Sequence, residues 1–295
     1  MAMLVAIDVG GTSAKLALVD AETGRIAKRA SIPTPPREHA GEAFLDAVGQ
    51  AAEHLAASSP IAAIGVSLCE LISPQGEIES GHRVPWTTEA VHDRLGRIAP
   101  VRIEADVRAA ALAEARLGAG QGYDPFLYLN IGTGIAATLV IGRRPYRGAH
   151  GHALVIASGP TTALCAQCGA MSESVLEDVA GGAGLTEHYA RKTGGVDVSG
   201  LEIVRRAGDG ETAALEVIGL AATELSSTLG PVLGMTDPAA LIVGGGLGAA
   251  VGPYFDRLVP AIRHHVWSAR TRDIPILQAT LGGDAGLIGA ALIHT

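Results

Sequence analysis

The chain has 295 residues, 48% of them hydrophobic, and a formal net charge of −8. This is enough for one large domain or two medium ones with buried cores, and an acidic balance without any Lys/Arg run argues against a nucleic-acid surface. The three cysteines, Cys69, Cys165 and Cys168, do not form a secreted disulfide framework; no window approaches the roughly 20 uninterrupted apolar residues of a membrane helix, and the N-terminus lacks a basic n-region and a cleavage pattern. The expectation is a cytoplasmic protein that engages neither membrane nor nucleic acid.

Met3 to Asp20 reads as two strands joined by a tight turn at Asp8-Val9-Gly10-Gly11-Thr12. Thr34-Pro35-Pro36 breaks the chain, after which Phe44, Leu45, Val48, Ala52 and Leu55 recur at helical spacing. Ile61 to Ser67 and Val101 to Ala105 read as buried strands, and Val107 to Gly118 as an alanine-rich helix directly after Asp106. Phe126 to Gly142 repeats the strand, glycine turn and strand of the N-terminus, with Asn130-Ile131-Gly132-Thr133-Gly134 at the turn. A long helix from about Glu211 to Leu233, a strand at Ala240 to Val243, a Gly244-Gly245-Gly246 turn, a helix beginning near Gly252 and a strand at Ile274 to Ala279 complete the second half. Alternating strands and helices imply an α/β lobe on either side of a crossing near Gly118 to Asp124.

A tight glycine turn lets backbone N–H groups face phosphate oxygens without a steric barrier. The two turns, with hydroxyls at Thr12 and Thr133, are therefore candidate phosphate segments. Asp8 ends a strand beside the first turn, where its carboxylate suits a hydrated Mg²⁺, and Lys15 is within reach of the same phosphates. The alternative is an ordinary hairpin, which a second copy disfavours. Gly244 to Ala249 also fits the loose dinucleotide pattern G-x-G-x-x-G/A, but the strand that follows ends in Gln278-Ala279 and not in the acid that such a site uses. Asp106 follows a buried strand and is the candidate general base for a hydroxyl acceptor; the competing reading is a helix cap.

These segments resemble the ROK (repressor, open reading frame, kinase) family, which includes bacterial glucokinases. DVGGTSAKLALVD, EADVRAAALAEARLG, NIGTGIAATLVIG with YRGAHG, LIVGGGLG and LGGDAGLIGAALI carry the resemblance, in order and over nearly the whole chain. It implies a two-lobed actin-like ATPase (ribonuclease H-like) α/β fold with a duplicated βββαβα core and a central cleft. The N-terminal lobe would span 1–118 with the last helix, about 284–295, returning to it, and the C-terminal lobe 119–283. The resemblance further implies ATP and Mg²⁺ as cofactors, Asp8, Gly10, Gly11, Thr12 and Lys15 with Gly132, Thr133 and Gly134 at the phosphates, Gly244, Gly245 and Gly246 at the adenosine, Asp106 as catalytic aspartate, and a homodimer. Family repressors carry a helix-turn-helix ahead of the first phosphate strand, which here begins at Met3, so the expected function is a kinase. The alternative is a non-catalytic ligand-binding or regulatory relative.

The departures from the family pattern cluster at the sugar. Ala105-Asp106 replaces the usual Asn-Asp, Leu68-Cys69-Glu70 replaces Pro-Gly-Pro, Arg83 stands for an Asn, and Val155 and Ser158 take the places of a Glu and a His. Glu177 is the retained sugar carboxylate. Losing several hydrogen-bonding groups is incompatible with holding the glucose hydroxyl pattern unchanged, so a modified sugar, amino sugar or cyclitol is expected. Glu70, His82, Arg83, His150 and His152 are candidates for replacement contacts, with a surface or structural role as the competing reading for each. Cys165 and Cys168 remain from the family's Cys₃His zinc site, but its third Cys and its His are missing; zinc is disfavoured, and would need His150, His152 or a carboxylate such as Glu173 to complete its shell.

Overall fold

The structure, a computed structural model, describes residues 3–57, 59–164 and 171–294. The chain opens with strands β1 (Met3–Val9), β2 (Ser13–Asp20) and β3 (Ile26–Pro33), followed by helix α1 (Glu42–Ala56), strand β4 (Ile61–Leu68), helix α2 (Thr88–Leu95), strand β5 (Val101–Ala105) and helix α3 (Asp106–Leu117). Their sheet runs β3-β2-β1-β4-β5, with β1, β4 and β5 parallel and β2 and β3 antiparallel to their neighbours. The near-continuous burial of β1 and β4 is what a parallel strand covered on both faces requires. One face of the sheet packs on α1 through Phe44, Leu45, Val48, Ala52 and Leu55, the five residues at helical spacing. The residue-by-residue reading misses β3, although the βββαβα core implied by the resemblance includes it, because it is an edge strand whose alternation of Ile26, Ala30 and Ile32 is broken at exposed Lys28.

The second half begins with β6 (Phe126–Ile131) and β7 (Ile135–Ile141), then short β8 (Arg144–Pro145) and the antiparallel pair β9 (Pro160–Leu164) and β10 (Met171–Val175). Helices α4 (Glu177–Ala180), α5 (Gly182–Thr193), α6 (Gly200–Gly208) and α7 (Thr212–Thr236) lead to β11 (Ala240–Gly244), α8 (Gly245–Gly248), α9 (Pro253–His265), α10 (Ala269–Arg272) and β12 (Ile276–Gln278). The order β12-β11-β6-β7 repeats β5-β4-β1-β2 of the first sheet, parallel and antiparallel pairs included. That is the duplication foreshadowed by the two glycine turns. Helix α7 is long and apolar enough to cross a membrane by length and composition, but Val217, Ile218, Ala221, Leu225 and Leu229 belong to the core of this half.

The chain closes with α11 (Ala285–Leu292), whose Leu287, Ala290 and Ala291 pack on Leu4, Ala6, Ala17, Val19 and Ala63 of the first sheet, on the face opposite α1. Two compact units result: one holds residues up to 121, 143–153 and 283 onward, and the other 122–142 and 154–282. Residues 143–153 lie with the first unit because Arg147 reaches Glu104 and the Gly151 carbonyl accepts from Arg108.

Candidate active site

In the first unit the carboxyl ends of β1, β4 and β5 lie side by side, with Asp8 paired to Ser67 and Ser67 to Glu104 in the ladder. Loops leaving the carboxyl edge of parallel strands are where open α/β sheets gather functional groups. Here they bring together Asp8, Glu70 and Asp106, whose charges act on one another and on the Cys69 thiol.

The Ser67 hydroxyl donates to Oδ1 of Asp8 at 2.8 Å. Burial pushes the Asp8 carboxyl above its ordinary range, opposed by that bond and by Lys15 across the ladder. A carboxylate whose ionised form is disfavoured by burial gains from a nearby cation, and an oxygen donor next to a glycine turn suits hydrated Mg²⁺. Helix α11 meets Asp8 at Gly286, where a Cβ would lie 2.5 Å from Oδ2 and 2.6 Å from Cγ. The Lys15 ammonium, expected at phosphate, donates to the Gly283 carbonyl at 3.2 Å.

The first glycine turn is braced from two directions. The Gly10 N–H donates to Ser13 O and the Thr34 hydroxyl donates to Gly10 O, while Thr34 N donates to Thr12 O. Arg83 donates from Nε and Nη2 to Gly11 O at 2.9 and 2.6 Å and from Nη2 to Thr34 O. The turn thereby leaves Gly11 and Thr12 exposed.

Asp106 is the first residue of α3, with extended Ala105 as its N-cap. Its Oδ1 accepts the Val107 N–H at 2.6 Å, so the capping role and the base role coexist. Burial, then the neighbouring Asp8 charge, push its carboxyl up to about 7, against the lowering effects of the Val107 N–H and Arg108. Such a carboxylate is poised to take a proton near neutral pH. Cys69 stands among these acids, and burial followed by the Asp106 and Glu70 charges pushes its thiol far up, so it stays protonated.

Three candidate acceptor contacts have other partners. Buried Glu70 accepts from the backbone N–H groups of His82, Arg83 and Val84 and from the Ser80 hydroxyl. Four donors on two oxygens make it the organiser of the 80–84 loop. Arg83 holds the glycine turn as described. His152 pairs with Glu79 at 2.7 Å, both side chains more than a third exposed. His82 and His150 are exposed.

In the second unit, β6 and β11 are parallel neighbours, with Gly244 beside Asn130. Gly132–Gly134 and Gly244–Gly246 therefore leave the same end of one sheet. The first of these turns is fixed by Gly182 N donating to Gly132 O and Ala183 N to Thr133 O at the start of α5. Gly245 has φ +82° and lies so close to the Ile131 carbonyl that a Cβ would overlap it, so glycine is required there on both counts. The carboxylate of Glu177, first residue of α4, lies against Gly134. Gln278, where a dinucleotide site carries its acid, donates to the carbonyls of Gly248 and Ala250 and closes that loop. Cys165 and Cys168 lie outside the described residues. Among the described residues no group of three or more His, Cys, Asp or Glu side chains forms a metal cluster.

Sequence reasoning missed Ser67, Thr34 and the buried pair Glu104–Arg108. Only the last left a visible sign, opposite charges four residues apart on either side of Asp106.

The duplicated sheet and the two sets of glycine turns define a two-lobed actin-like ATPase fold, and the comparisons agree. The solved structure of a ROK family glucokinase from Streptomyces griseus, in complex with glucose and AMPPNP, is 27% identical, with a TM-score of 0.82 covering 99% of this chain and 98% of that one. The glucokinase of Streptomyces coelicolor is 27% identical over 99% of this chain and 97% of its own length. The N-acetylmannosamine kinase of Escherichia coli is 28% identical over 98% and 97%. The ROK family model matches residues 4–295, and the chain belongs to the ROK family.

Proposed function

We propose that the chain transfers the γ-phosphoryl group of ATP to a hydroxyl of a modified sugar, amino sugar or cyclitol, with Asp106 as general base. The observation that carries this reading is Asp106 itself. It is a carboxylate at the carboxyl edge of three parallel strands, beside Asp8, and raised to about 7. A non-catalytic binding relative has no need of a base so tuned, which disfavours that alternative. The similarity to glucokinases and N-acetylmannosamine kinases supports the reaction class.

In this reading the acceptor oxygen forms a bond to the γ-phosphorus as the bond to the bridging oxygen of ADP breaks, and the hydroxyl proton passes late to Asp106. Gly10 to Thr12 and Gly132 to Gly134 bind phosphate oxygens with their backbone N–H groups, and Gly244 to Gly246 border the adenosine. Asp8 would hold Mg²⁺, which would supply charge neutralisation at the phosphates. Arg83 and Thr34 keep the first turn in its binding shape. Action in the cytoplasm as a homodimer belongs to the same proposal.

The preference against plain glucose rests on the acceptor residues. Ala105 offers no side-chain polar group, Glu70 is committed to the 80–84 loop, and exposed Val155 and Ser158 offer neither the carboxylate nor the imidazole of the family pattern. Each lost hydrogen bond to a substrate hydroxyl costs the glucose complex about 0.5–1.5 kcal/mol. The test is ADP release with Mg-ATP against glucose, 2-amino and 2-acylamino hexoses, and cyclitols. We expect kcat/KM for the best acceptor to exceed that for glucose by tenfold or more; glucose as the best acceptor would refute the preference and leave the kinase reading standing.

The pH profile is a second check. A base of pKa about 7 must be ionised to accept the proton, so kcat/KM for the acceptor should be flat above that pH and fall about tenfold per unit below it. A profile flat down to pH 5 would remove Asp106 from that role.

A further inference from the structure

Arg108 lies two residues past Asp106, outside the phosphate and acceptor segments, and only 4% of it is exposed. A buried guanidinium is strongly unfavourable unless its donors are matched, and here three nitrogens each have an acceptor on a different segment. Nε donates to Oε1 of Glu104 at 2.6 Å, at the end of β5. Nη2 donates to the Ile72 carbonyl at 2.7 Å, in the loop that follows β4 and carries Cys69 and Glu70. Nη1 donates to the Gly151 carbonyl in the segment that returns to this unit. Glu104 is equally buried; its Oε1 also accepts the Ala105 N–H at 2.9 Å, and its Oε2 accepts from Nε and Nη2 of Arg147 at 3.0 and 2.6 Å. The residues at positions −2 and +2 from Asp106 are thus joined to each other and to both flanking loops.

We propose that Arg108 is a positioning residue for phosphoryl transfer, fixing the first turn of α3 so that the Asp106 carboxylate meets the acceptor hydroxyl in line. The inference rests on the reading of Asp106 as the base. A flat fork with donors in three directions can satisfy acceptors on three segments at once, which the single ammonium of a lysine does not reproduce. Geometry matters at this level because a displacement of about 1 Å in a reacting group costs on the order of 10²-fold in rate. The groups acting on Asp106 are Asp8 from β1, Glu70 from the loop after β4, and the Val107 N–H and Arg108 on its own helix. Of these, Arg108 is the cation.

Arg108→Lys keeps the charge and loses the fork, whereas Arg108→Gln loses both. We expect Arg108→Lys to lower kcat at least tenfold, with KM for ATP and acceptor within twofold and the midpoint of the pH–rate profile unmoved. Arg108→Gln should show the same loss and an upward-shifted midpoint, since the charge favouring ionised Asp106 is gone. If Arg108→Gln fails to fold, Arg108→Lys alone decides. Native kcat in folded Arg108→Lys, or a loss carried by KM, overturns the proposal. Asp106→Asn measured alongside separates the two readings. An inactive Asp106→Asn with a fully active Arg108→Lys sinks only the role of Arg108, whereas a fully active Asp106→Asn sinks the base assignment beneath it.

Discussion

Asp106→Asn should bind nucleotide as the native chain does, turn over roughly 10²–10⁴-fold more slowly, and melt at a higher temperature. The first two results follow from the role proposed for Asp106, as base for the acceptor hydroxyl and not as a nucleotide contact. The third follows from linkage. The Asp106 carboxyl is raised from an ordinary 3.8 to about 7 in the folded chain, chiefly by burial. Its ionised form is therefore disfavoured by folding. The cost is absent below about pH 3.8, grows as the unfolded chain ionises first, and is complete above about pH 7, where it reaches on the order of 4 kcal/mol. Asn keeps the shape and the acceptor for the Val107 N–H but carries no charge. The gain in melting temperature over the native chain should be largest at pH 8 and vanish towards pH 4. Scanning calorimetry across that range checks it, and an equal or lower melting temperature at pH 8 would show that Asp106 is not held at a cost. Stability given up at a site in return for activity is a common pattern in enzymes.

The second large effect is expected from Gly286→Ala. By helix propensity alone, replacing a glycine inside α11 with alanine stabilises by up to about 1 kcal/mol. The new methyl, however, would sit 2.5–2.7 Å from the carboxylate oxygens of Asp8. Either Asp8 rotates away from Ser67 or α11 withdraws from the sheet, where Leu287, Ala290 and Ala291 are buried. Overpacking of this kind costs about 1–3 kcal/mol, so the net change is destabilising. Activity should drop more than tenfold, with a raised Mg²⁺ requirement because Asp8 is the candidate cation ligand. A Mg²⁺ titration of the ATP-dependent rate reads this directly. A variant that is more stable and has the native Mg²⁺ dependence would mean that the approach of α11 to Asp8 has no consequence for catalysis.

Much of the framework was legible because its signals are local. Apolar runs broken by glycine gave both hairpins, the spacing of Phe44 to Leu55 gave α1, and the alanine-rich run after a buried strand gave α3, with Asp106 at its start. The resemblance of LGGDAGLIGAALI to the family's last segment gave the return of α11. What stayed hidden depends on chain segments meeting across long separations. Glu70 looked like a substrate contact because its four donors come from a loop 10 to 14 residues away that folds back on it. Arg83 looked the same, since its partners Gly11 and Thr34 are 72 and 49 residues distant. Arg108 and Glu104 formed a readable pair, but Ile72 and Gly151, the acceptors that give the pair its position, are backbone carbonyls with no sequence signature. Edge strand β3 and the short helix α2, with only Val91 and Leu95 buried, lack the periodicity that marks core elements.

The most direct test of the central claim is transfer of label from γ-³²P ATP to the preferred acceptor by the native chain and by Asp106→Asn. We expect a labelled sugar or cyclitol phosphate from the native chain and almost none from the variant, while both retain nucleotide. Equal transfer by the two chains, or label released from the native chain only as inorganic phosphate, would contradict it.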